Sequence, residues 1–247
     1  MITIKSSGEI ELMRKANLIV RDTLDMLRDK IKVGMTTKQL DRLAHDYIVK
    51  QNAIPSFLGY SGYPASVCIS INEEVVHGIP SERIIKEGDL VSIDCGSIYK
   101  GYNGDAARTF LMEGADEEKV QLAKVTEQSF FEGMKVLKAG ARLVDLGHAI
   151  QSYAESFGYG VVRAMVGHGI GRDMHEDPEV PNYGVAGRGL RLKAGMTIAV
   201  EPMINAGTYD VEMLSDGWTI VTKDNRPSAH YENTVLITED GVEILSL

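Results

Sequence analysis

KEGDLVSID (residues 86–94) and KAGMTIAVE (residues 193–201) read as one pattern written twice. Each opens on a Lys-x-Gly turn, places apolar residues three and five positions after the glycine (Val91 and Ile93; Ile198 and Val200), and carries a carboxylate at the sixth. Alternating apolar residues after a glycine turn predict a strand with one buried face. Asp94 and Glu201 therefore stand at equivalent places in two half-domains.

The echo extends upstream. Ile10, Met13, Val20, Leu24, Leu27 and Ile31 follow a helical period behind the capping-box pair Ser6 and Glu9. A second helix follows in KVGMTTKQLDRLAHDYIVKQ (residues 32–51), where Thr36 and Gln39 repeat the capping spacing and Leu40, Leu43, Tyr47 and Ile48 form the apolar stripe. EEKVQLAKVTEQSFFEGMKVL (residues 117–137) and KAGARLVDLGHAIQSYAESFG (residues 138–158) predict another helix pair, with Gly140 in register with Gly34. A repeat this long argues for an internal duplication, not a solenoid array. Helices grouped before strand hairpins in each half predict an α+β fold with pseudo-twofold, duplicated helix-helix-strand halves around a largely antiparallel sheet. Residues 1–247 are expected to form one catalytic domain with pseudo-repeats at about 1–112 and 113–247, because no low-complexity linker divides them.

With 247 residues and 44% hydrophobic content the chain can bury a sizeable core. The 26 Lys and Arg against 35 Asp and Glu give a formal net charge of −9 and no basic stripe, which disfavours nucleic acid or an anionic membrane as partner. Two cysteines, Cys68 and Cys95, make neither a disulfide framework nor a cysteine-rich zinc site. With no apolar run of signal-peptide or bilayer-spanning length, a cytoplasmic location is expected.

Between Asp94 and Asp105 lies CGSIYKGYNG, with a hairpin turn expected at Tyr99-Lys100-Gly101. Closed there, the hairpin sets the two aspartates roughly opposite one another on one sheet face. Like charges so close require a proton or a cation between them. Either aspartate alone reads as a turn cap or a partner of Arg108, but Glu201 and Glu232 on other apolar strands add carboxylates that are costly to bury unless paired or metal-bound. In VGHGIGRDMHEDP (residues 166–178) the glycines argue against a helix around His168, and the spacing of His168 and His175 does not fit a helical zinc motif. His168 is left as a structural hydrogen-bonder or a ligand where backbone approaches closely. One imidazole and four carboxylates suit two divalent ions such as Mn, Fe, Co or Zn.

These stretches, with HGIP at His77, IDCGSIYKGYNGDAART, VEPM and HYENTV, resemble in order the type I methionine aminopeptidases, members of the pita-bread metallopeptidases. The resemblance runs from the first helix to GVEILSL and implies His168 and Glu201 on one metal, Asp94 on the other, and Asp105 and Glu232 bridging. It implies hydrolytic removal of N-terminal methionine from nascent polypeptides with a small second residue. A water shared by the ions would be acidified, Glu201 would act as general base and proton shuttle, His175 would stabilise the oxyanion, and His77 would hold the substrate backbone. Phe57, Tyr60, Tyr63, Cys68, Met174 and Trp218 would line the methionine pocket, where a thioether gains from aromatic and polarizable neighbours. Without the resemblance, His77 reads as a loop histidine and the pocket residues as core or turn aromatics. His45, His148 and His230 receive no role.

The proline-specific relatives use the same ligands behind an extra N-terminal domain, for which a first metal strand near residue 90 leaves no room. A non-catalytic binding protein of this fold would be expected to have lost ligands, and all five are present. The lack of an N-terminal extension favours the type I form over the longer type II form. A monomer with transient ribosome contact is the family-level expectation.

Overall fold

The helices form where apolar spacing and caps predict them. In the computed structural model, which describes residues 2–247, α1 spans Ser7–Lys30 and α2 spans Thr37–Lys50. Both open on reciprocal capping boxes. The Ser6 backbone N–H donates to Glu9 at 2.9 Å while the Glu9 N–H donates to Ser6 Oγ, and Thr36 with Gln39 repeats the exchange at 2.9 and 3.2 Å. After them, α3 spans Glu117–Met134, with the Asp116 side chain accepting from the Lys119 N–H, and α4 spans Leu143–Glu155.

Each helix pair covers its own strands. Ile19, Val20, Leu24 and Leu27 of α1 and Leu40 and Ile48 of α2 pack with Val91, Ile93 and Ala106. Phe130 of α3 and Leu146 and Ile150 of α4 pack with Ile198, Val200 and Val235. At about 1.5–3 kcal/mol for each fully buried large apolar side chain, these two layers are a main favourable contribution to the fold. Of the stripe residues read from sequence, Met13, Val20, Leu24, Leu27, Leu40 and Ile48 are buried, and Ile10, Ile31, Leu43 and Tyr47 are half-buried.

The strands of the first half form a long ribbon, Leu90–Tyr99 against Tyr102–Leu111. Lys100 and Gly101 both have positive φ, 48° and 82°, which suits a two-residue turn matched to the strand twist. The expected hairpin is therefore present but its register differs: Asp94 faces Ala107, and Asp105 faces Gly96. Asp94 and Asp105 still share a face, as diagonal neighbours and not as an opposed pair.

The second half repeats the ribbon in interrupted form. Thr197–Val200 pairs with Asn233–Ile237, and Met203–Asn205 pairs with Ser228–His230, in one continuous register. Continuing Val200↔Asn233 by one residue sets Glu201 beside Glu232. The ladder breaks at Pro202, which has no N–H to donate. Gly88 and Gly195, the turn glycines before the two ribbons, have φ of 75° and 87°, so the Lys-x-Gly echo is also an echo of backbone conformation.

The ribbons meet at Ala107 and Glu232, which exchange backbone bonds of 3.3 and 3.0 Å. On one side Thr234 Oγ1 brackets Asp105, and on the other Thr109 Oγ1 accepts from the His230 N–H at 3.1 Å and donates to the His230 carbonyl at 2.8 Å. Every strand pairing among the described residues is antiparallel. Hydrogen bonding divides them into sheets of four, three, three and five strands, more fragmented than the single sheet expected from sequence. No described helix is long and apolar enough to cross a membrane.

Candidate metal centre

All five expected ligands converge where the two ribbons face each other. Asp94 and Asp105 come from the first ribbon, Glu201 and Glu232 from the break in the second, and His168 from the short strand Gly167–Gly169. That strand pairs with Thr197–Val200 on one side and Glu176–Val180 on the other. Gly169 permits this, since a Cβ there would lie 2.1 Å from the Asp177 carbonyl oxygen. The Glu201 backbone is held by Asn182, whose Nδ2 donates to its carbonyl at 3.0 Å.

His168 Nε2 lies 3.6 Å from Glu201 Oε1 and 3.8 Å from Asp105 Oδ2. One donor atom from each of Asp105, His168 and Glu232 falls within 4.8 Å of the others, and the same holds for Asp94, His230 and Glu232. The 3.6 and 3.8 Å separations are too long for hydrogen bonds. They suit donors sharing an ion, because two ligand atoms each about 2.1 Å from one metal stand at most about 4.2 Å apart. Asp94 Oδ1, Asp105 Oδ1 and Glu232 Oε1 are buried without hydrogen-bond partners. Orphaned carboxylate oxygens are costly unless a cation satisfies them, so the residues present fit divalent metal.

Electrostatics agree. Burial pushes the Asp94 carboxyl up to about 7, and burial with neighbouring carboxylates holds Asp105, Glu201 and Glu232 above their ordinary range. Burial drives His168 down to about 4, so its imidazole is neutral and Nε2 keeps a lone pair for a metal. Its Nδ1 is occupied by the Gly169 carbonyl at 2.8 Å, which fixes the proton there and orients the ring. The short approaches to Glu201 and Asp105 are therefore not salt bridges.

A cavity of about 180 Å³ opens over this floor and brings every sequence-predicted residue together. Tyr63 is buried with its hydroxyl donating to the Gly78 carbonyl at 2.9 Å, which leaves the ring edge-on to Trp218 at 5.0 Å. Cys68, Met174 and Phe57 complete an apolar, sulfur-bearing wall. His175 lies tilted by 51° against His168 at 4.2 Å between ring centroids, and the Tyr60 hydroxyl meets its Nδ1 at 2.7 Å. Its loop is pinned where Lys5 Nζ and Thr3 Oγ1 both reach Glu176, at 2.5 and 2.8 Å. His77 sits on the rim with φ of 61°, a left-handed conformation that costs a non-glycine residue about 1–3 kcal/mol and is concentrated at functional sites. Burial lowers the pKa of both His77 and His175.

Sequence reasoning missed Val76, Met165 and Val166, which also line the cavity. Val76 was readable, as the apolar end of the Glu74–Val76 strand directly before His77. Sequence gave His230 no role, yet its Nε2 stands 3.7 Å from Glu232 Oε2. The remaining histidines stay apart from the site: His45 bonds Ser66 Oγ and His148 bonds the Gly184 carbonyl.

A family model for metallopeptidase family M24 matches residues 11–239. The chain is 59% identical to the methionine aminopeptidase of Clostridium acetobutylicum, across 100% of this chain and 99% of that one. It superposes on the methionine aminopeptidase of Rickettsia prowazekii with a TM-score of 0.98 and 45% identity, each chain covered in full. A prolidase from Pyrococcus furiosus shares the fold alone, at a TM-score of 0.79 and 24% identity, over 99% of this chain and 65% of that one. The duplicated halves are thus a pita-bread fold, and the chain belongs to metallopeptidase family M24, among its methionine aminopeptidases.

Proposed function

We propose that this protein hydrolyses the first peptide bond of chains beginning with methionine, using two divalent ions drawn from Mn, Fe, Co or Zn. The observation that carries the reading is the convergence of Asp94, Asp105, His168, Glu201 and Glu232, with partnerless buried oxygens, under an apolar cavity lined by aromatic and sulfur side chains. His168 and Glu201 would hold one ion, Asp94 the other, and Asp105 and Glu232 both. When bound, the ions supply Lewis acidity and make water acidic enough to lose a proton near neutral pH.

The chain's own residues do the rest. Glu201 takes the proton of the attacking water and passes it to the leaving amine, a role that needs a carboxylate beside the nucleophile. Neutral His175, with Nδ1 accepting from the Tyr60 hydroxyl, keeps Nε2–H to donate to the developing oxyanion. His77 holds the backbone of the second residue. Phe57, Tyr60, Tyr63, Cys68, Met174 and Trp218 take the thioether side chain, and the likeness to methionine aminopeptidases is the support for a small second residue. We read residues 1–247 as one catalytic domain with repeats at about 1–112 and 113–247, acting as a cytoplasmic monomer on nascent chains with transient ribosome contact.

The test is methionine release from Met-Ala-Ser by chelator-stripped protein, with and without added Mn(II), and with an X-Pro tripeptide alongside. Metal-dependent release from Met-Ala-Ser alone supports the reading. Cleavage of X-Pro only moves the protein to the proline-specific branch, and no cleavage of either with two ions bound removes the peptidase assignment.

A further inference from the structure

His230 is buried, with 2% of its surface exposed, and its Nε2 has no hydrogen-bond partner. That nitrogen lies 3.7 Å from Glu232 Oε2, and a ring nitrogen of His230 lies within 4.8 Å of carboxylate oxygens of both Asp94 and Glu232. The distance is too long for a hydrogen bond and right for two donors to one ion at about 2.1 Å each. The orientation is not accidental, because Thr109 Oγ1 grips both the N–H and the carbonyl of His230. Thr109 is itself bonded to Ser92 Oγ at 2.8 Å.

Register supplies an independent reason. Asp94 and Glu201 occupy matching positions in the two ribbons. Two residues further along each strand stand Gly96 and Met203, whose cross-strand partners are Asp105 and His230. Likewise Ala107, opposite Asp94, matches Glu232, opposite Glu201, and these two bond to each other where the ribbons meet. His230 therefore holds in the second half the place that Asp105 holds in the first, on the face that looks into the metal centre.

We propose that His230 is a sixth donor of the centre, with Nε2 ligating the ion held by Asp94 and Glu232. The inference rests on the two-ion reading of the site. Each metal position then carries one imidazole, His168 or His230, which shifts the Asp94 side away from an all-oxygen set suited to Mn toward the borderline ions Fe, Co and Zn.

The test loads chelator-stripped protein with two equivalents of Co(II) and follows binding by calorimetry, visible ligand-field absorption and X-ray absorption. The wild-type protein should show on average one imidazole per cobalt. His230→Gln, which keeps a polar side chain of similar reach, and His230→Ala should weaken one of the two binding events by about 10-fold or more, change the visible spectrum, and halve the imidazole count. Mn(II) binding should be affected less than Co(II). Two unchanged affinities and spectra in either folded variant would overturn the proposal, as would half an imidazole per cobalt in the wild-type protein, a result that needs no variant to fold. Wild-type protein that binds no Co(II) at all would instead sink the two-ion reading.

Discussion

In the first ribbon, unbroken strands run from Leu90 to Leu111 around a two-residue turn, and both aspartates lie within that local hairpin. The second keeps one register but breaks at Glu201 and Pro202, and the residues between Asn205 and Ser228 leave the ribbon to form a separate hairpin, Val211–Met213 with Ile220–Thr222. Trp218 sits in that excursion and reaches the pocket. The same duplicated scaffold thus supplies a rigid, closely spaced carboxylate pair from one half. From the other it supplies Glu201, the proposed general base, together with Trp218 in the cavity wall.

The largest effect that would sharpen this contrast is Glu201→Gln. It should lower kcat for Met-Ala-Ser by about 100- to 10,000-fold, measured with metal content fixed by atomic emission. Near-normal turnover with two ions bound would mean that the broken ribbon does not hold the general base. His175→Ala comes next, with kcat reduced about 100-fold or more and metal content unchanged. A loss of metal instead would make His175 a ligand.

The four carboxylates predict a pH dependence that reports on both ribbons together. Their folded pKa values are raised, Asp94 to about 7, chiefly by burial. Below about pH 6.5 the lowered pKa values of His77, His168, His175 and His230 work the other way, since the unfolded chain protonates them first; above it they are neutral in both states, and the folded, metal-free protein binds more protons than the unfolded chain. The carboxylate contribution is lost as pH climbs through the folded values, so the Tm of chelator-stripped protein should fall between about pH 6.5 and pH 8. Saturating Mn(II) should reduce the fall, because the cation replaces the protons. A stripped protein whose Tm rises over that range would show the carboxylates to be separated in solution.

The smallest effect tests the first ribbon alone. Gly101→Ala places a Cβ at φ of 82° in open space, so the cost is conformational, about 1 kcal/mol by denaturant titration with metal affinity unchanged. A loss of metal as well would show that the turn sets the spacing of Asp94 and Asp105.

Much was readable in the linear chain because it depends on local physics. The capping pairs Ser6–Glu9 and Thr36–Gln39, the helical stripes, the Lys-x-Gly echo and the hairpin between Asp94 and Asp105 each lie within a few residues of what they control. The five ligand types were legible because a carboxylate on an apolar strand, or a histidine among glycines, departs from its surroundings. The exact register was not, because a turn of two residues or three moves each partner by one, and only packing of α1 and the second ribbon selects between them. His230 was harder to read. Glu232, two residues on, is its local mark, but its position opposite Met203 and beside Asp94 exists only once the two ribbons close on each other. The sequence by itself determined the elements, the duplication and the kinds of ligand. Tertiary structure alone decided which donor atoms share a space, since that depends on contacts between residues more than a hundred positions apart, such as Ala107 with Glu232.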